Sequence, residues 1–64
     1  MNLDQLKREL TRLERASAKA AEKRAALPPG SSRARVTSAN AKWMRLAEAR
    51  DRVQRQIEAL ETSP

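Results

Sequence analysis

Apolar residues recur at Leu3, Leu6, Leu10 and Leu13, and the same alternation of three and four continues through Ser17, Ala20, Arg24 and Leu27. Such spacing places one residue per turn on a single stripe, so the pattern predicts a helix with a heptad seam. Asn2 can cap it, with Gln5 three residues on as the reciprocal partner of a capping box. Pro28 disfavours helical geometry at Leu27, and Pro29 and Gly30 reinforce the stop. The first helix is expected over residues 3–26.

The period returns at Val36, Ala39, Trp43, Leu46, Arg50, Val53, Ile57 and Leu60. Thr37 or Ser38 can cap this second helix, with Val36 packing on Ala41 as a staple, and Ser32 can start it a turn earlier. The expected turn covers residues 27–37 and the expected helix residues 38–61. Pairing positions whose numbers sum to 63 sets every seam residue against another: Leu6 with Ile57, Leu10 with Val53, Leu13 with Arg50, Ser17 with Leu46, Ala20 with Trp43, Arg24 with Ala39. Large side chains then meet small ones, as interdigitated packing requires. The fold class predicted is all-α: one antiparallel two-helix hairpin over residues 1–64, about 36 Å long at the helical rise per residue. Leu3 and Leu60 close the seam at the open end, and Leu27 and Val36 at the turn.

Length changes the picture. Sixty-four residues bury little surface, and with no Cys or His neither a disulfide nor the usual zinc ligands can staple the chain. A dimer, a four-helix bundle of two hairpins, is therefore expected. Its face, or that of a foreign partner, is expected where Ala18, Ala21 and Ala25 share a flank with Asn40, Met44 and Ala47, although Ala is also simply a good helix former. Trp43, the sole aromatic, is expected to pack in the seam. Arg24 and Arg50 interrupt the seam and either extend their heads past neighbouring alkyl surface or form a polar layer that fixes register.

Charge adds a polarity. Between Arg15 and Arg45 lie eight cations and one acid, a net +7, whereas the open end holds six cations and seven acids, a net −1. Nucleic-acid phosphates are the expected target of the turn end, through Lys19, Lys23, Arg24, Arg33, Arg35, Lys42 and Arg45. Ser31, Ser32, Thr37 and Ser38 at the start of the second helix suggest an anion site there, and equally serve as ordinary caps. Without Tyr or Phe, base stacking has no support, so backbone contact is favoured over sequence reading, and DNA and RNA both fit. An acidic protein surface is the alternative partner.

No catalytic residues, cofactor or metal site are expected: nucleophile–base pairs and phosphate loops are missing, and the carboxylates sit beside Lys and Arg. Glu48 with Arg52 and Asp51 with Arg55 read as helix-stabilising neighbours. The first ten residues carry charges from Asp4 onward and offer no apolar run, which predicts a cytoplasmic protein with no membrane span. In size and architecture the chain resembles the ROP-type plasmid RNA-binding regulators, with no motif of theirs to carry residues over. The stretch Pro28 to Trp43, with the Arg- and Ala-rich composition, is similar to short open reading frames of high-GC actinobacteria and their phages. That likeness implies an accessory or host-directed protein. The function expected is thus a small basic accessory protein binding nucleic acid, the alternative a phage- or plasmid-encoded modulator of a host protein.

Overall fold

The computed structural model describes residues 2–62. At its start the Asn2 side chain accepts the Gln5 backbone N–H at 2.9 Å, and the Gln5 side chain accepts the Asn2 N–H at 3.1 Å. This capping box satisfies two of the donors that a helix start leaves free. Helix α1 (Leu3–Ala25) follows, with Asp4 in its first turn and Lys23 and Arg24 in its last, each the favourable sign for the helix dipole. It stops one residue short of expectation, where the Ala26 N–H bonds to the Glu22 carbonyl at 2.9 Å.

The chain reverses through Pro28, Pro29, Gly30 and Ser31. The Ser31 N–H donates to the Pro28 carbonyl at 3.1 Å, and Gly30 has φ +86°. Proline second and a left-handed glycine third are what a type II turn demands. The Ser31 hydroxyl donates to the same carbonyl at 2.6 Å.

Helix α2 spans Arg33–Thr62, and so begins five residues before the expected start at residue 38. The reason is local. With the turn already closed at Ser31, the Ser32 hydroxyl accepts the Arg35 N–H at 3.3 Å and caps the helix a turn early. Thr37, Ser38 and Val36 are therefore inside the helix, so neither hydroxyl is an N-cap and Val36 is not a staple ahead of one. Thirty residues make α2 about 45 Å long at 1.5 Å per residue, and the molecule extends 53 Å rather than the 36 Å expected.

α1 and α2 pack against each other as the seam predicted. Leu6, Leu13, Ala20 and Ile57 are buried, as is Ser17, whose hydroxyl donates to the Glu14 carbonyl at 3.0 Å and leaves no polar atom stranded. Leu10, Trp43, Leu46 and Val53 are half-buried. Leu60 departs from expectation at 49 % exposed, and Val36 at 38 % lies at the seam's other limit. Heptad positions drift about 20° per repeat on a straight helix, which turns the last of them away from a partner helix only 23 residues long.

Two contacts across the seam test its register. Lys7 pairs with Glu61 at 3.6 Å, and the Arg24 guanidinium lies over the Trp43 ring, 4.7 Å from its centroid. The seam pairing sets Gln56 and Ala39 opposite these two residues, so both contacts fall about one turn farther along α2. Side chains lean toward the N-terminus of their own helix. In an antiparallel pair that lean brings together residues displaced in this sense, so the contacts agree with the backbone register. Arg24 thus extends its head out of the seam, one of the two roles expected of it, whereas Asp51 departs from expectation and pairs with Arg50 at 3.4 Å instead of Arg55.

Burial differences set the energetics. Leu13→Ala is expected to lower unfolding free energy by about 2–3 kcal/mol and Leu60→Ala by less than about 1 kcal/mol, read from urea denaturation at one protein concentration. Gly30→Ala, with no atom within 4 Å of an added Cβ, is expected to cost about 1 kcal/mol through backbone strain alone.

Candidate nucleic-acid interface

Beside the seam an antiparallel hairpin has two long flanks, and helical periodicity assigns residues to them. At the turn end, Lys19 and Lys23 of α1 fall on the same flank as Arg35 and Lys42 of α2, and all four are exposed. Ala21, Ala25, Asn40 and Met44 fall on the other. The surfaces are physically separate. Lys42 and Arg45 border a shallow depression with Ser38 and Leu46, whereas Asn40 and Met44 line an open groove of about 590 Å³ with Arg24, Leu27, Val36 and Trp43.

The cations of the turn end have a single acid among them, Glu22, and none of them forms an ion pair with it. Among the described residues the ion pairs are Lys7 with Glu61, Arg12 with Glu9 and Arg50 with Asp51, all toward the open end. The Arg12 guanidinium, hydrogen-bonded to Glu9, holds that carboxyl below its ordinary range and raises its own pKa. The pair's small contribution is present above the ordinary glutamate range and is lost as pH falls through the lowered value. Among the described residues no ion pair forms at Lys19, Lys23, Arg35 or Lys42. Lys19 and Lys23 are like charges at i and i+4, an arrangement that destabilises a helix by about 0.2–0.5 kcal/mol. Arg33 and Arg35 occupy the first turn of α2, which holds no acid, and so face the positive end of its dipole.

Of the seven cations expected to act together, the fold gathers four on one flank. Arg45 lies at the margin of that flank, beside Lys42 at the shallow depression. Arg33 lies on the opposite flank, and Arg24 is spent over Trp43, whose ring it covers on the groove side. The four hydroxyls expected to form an anion site do not converge: Ser31 and Ser32 hold the turn and the cap, and Thr37 and Ser38 are a full turn into the helix. Of the expected partner face, Ala18, Ala25 and Met44 are exposed and Ala21, Asn40 and Ala47 half-buried. Sequence reasoning grouped cations by distance from the turn and missed their sidedness. The signal was available in the four-residue step from Lys19 to Lys23 and the seven-residue step from Arg35 to Lys42.

Among the described residues no group of acidic side chains is arranged to hold a metal ion, and no helix is long and apolar enough to cross a membrane. Comparison with protein-family models, curated proteins and solved structures found no match to this chain.

The Arg24 contact gives a spectroscopic check, since Trp43 is the sole aromatic residue. Arg24→Ala is expected to expose the ring: emission shifts to the red and iodide quenches it more, while helix content holds and stability falls by less than about 1 kcal/mol. Unchanged emission and quenching contradict the contact.

Proposed function

We propose that the chain is a small accessory protein that binds nucleic-acid phosphates, without reading sequence, through the flank formed by Lys19, Lys23, Arg35 and Lys42. One observation carries the reading: the fold collects four exposed cations on one side of the turn end, where no acid pairs with them. Holding like charges together costs free energy that a bound polyanion recovers by releasing its counterions. A convex helix pair with no neighbouring aromatic suits contact with the phosphate backbone rather than with base edges. The hairpin acts as a dimer, a four-helix bundle, because a single seam buries too little surface for a chain of this size.

Binding to a mixed-sequence duplex, as DNA and as RNA, tests the reading. Each phosphate contact contributes about −0.9 to the slope of log K against log salt, so four give a slope near −3.5 for DNA. Replacing Lys23 and Lys42 by Gln is expected to lower affinity and make the slope shallower by about 2. The same change at Arg52 and Arg55 is expected to have a much smaller effect. No retention of either duplex at micromolar protein and physiological salt contradicts the proposal. Nuclease-resistant capture of an acidic protein that depends on the same lysines replaces it with protein docking.

A further inference from the structure

The flank opposite the lysines carries a second heptad pattern, which the hairpin leaves unpaired. From Arg33 to Glu58, steps of four and three mark a stripe on α2 beside the seam. About its midpoint, between Arg45 and Leu46, this stripe is complementary to its own reverse. Met44 falls opposite Ala47, Asn40 opposite Asp51, Thr37 opposite Gln54, and Arg33 opposite Glu58. Apolar meets apolar, hydrogen-bond donor meets acceptor, and cation meets anion. Met44 is 53 % exposed, and Arg33, Asp51 and Glu58 are exposed as well.

The charges at the helix ends point the same way. α1 obeys the dipole at both termini, but α2 has arginines and no acid in its first turn, and Glu61 with no base in its last. Each end of α2 therefore carries the sign that its dipole disfavours. Reversing a second α2 against the first sets each end beside the opposite charge. Surface area supplies a third reason. The chain exposes 5219 Å², whereas a compact protein of its mass exposes about 4,100 Å². The excess of about 1,100 Å² is comparable to the ~800 Å² per partner that a standard interface buries.

We propose that two copies pack through this flank about a two-fold axis crossing α2 between Arg45 and Leu46. The α2 helices run antiparallel, and the turn of each copy lies over the open end of the other. This rests on the dimer proposed above and specifies its geometry. Met44 packs on the partner's Ala47, and Arg33 pairs with the partner's Glu58. Ala18, level with the axis in the seam register, lets the α1 helices approach. The lysine flanks stay outside, on opposite faces and toward opposite ends of the bundle.

Charge exchange and cross-linking test the geometry on the full chain. Arg33→Glu and Glu58→Arg are each expected to raise the dimer dissociation constant about tenfold, and the double variant to restore it to within about twofold of the original. Both positions are exposed, so circular dichroism should report an intact hairpin. The chain has no cysteine, which allows a second readout. Arg33→Cys and Glu58→Cys variants are expected to be joined by a short bismaleimide when mixed, and neither to be joined to itself. A monomeric mass for the unaltered chain at several hundred micromolar overturns the dimer altogether. A dimer in which Arg33→Cys joins itself, or in which the double charge exchange gives no rescue, overturns the antiparallel pairing and leaves dimerisation standing.

Discussion

Everything in this molecule depends on one apolar seam between two helices, with no third layer to cover either of them. Leu6 and Leu13 of α1 are buried against α2, and Ile57 returns the contact. Elsewhere the seam is filled by small residues, Ser17 and Ala20, beneath larger ones that are themselves half-buried. A two-layer contact of this kind fixes register through the size of its residues, since Trp43 and Leu46 fit only where the facing position is small. It also leaves two flanks exposed along the full length of the hairpin. The turn serves the seam: a proline and a left-handed glycine reverse the chain within four residues and deliver α2 in phase.

The fold was largely legible because the seam is periodic. Heptad spacing named both helices, the pairing register and nearly all of the buried residues. The start of α2 was misplaced because several hydroxyls along the stretch can each cap a helix, and only the closed turn at Ser31 decides that Ser32 does so. Leu60 was placed inside because a strict heptad count ignores the angular drift that a straight helix accumulates over successive repeats. The candidate interface was half legible. Net charge located the basic end correctly, but charge counted along a hairpin carries no information about sides. Arg24 and Arg33 were therefore grouped with lysines from which the fold separates them.

The sides differ in kind, and the difference follows from the same geometry. One flank near the turn is cationic without counter-charge; the other combines an open groove, small residues and a stripe whose charge reverses from Arg33 to Glu58. Neither arrangement strengthens the isolated hairpin. The like-charged lysines repel, and the ends of α2 oppose its dipole. Local choices that work against a fold are expected where a sequence answers to something outside the folded chain. On one flank we propose a polyanion as that outside element, and on the other a second copy of the same helix.

A single map separates the two flanks. Backbone and side-chain NMR shifts, followed while a short mixed-sequence duplex is added at moderate salt, report which surface the polyanion touches. The account requires the shifts to concentrate at Lys19, Lys23, Arg35 and Lys42 and to leave Met44 and Ala47 unmoved. Shifts centred on Met44, Ala47 and Asn40, or none at all, would contradict it.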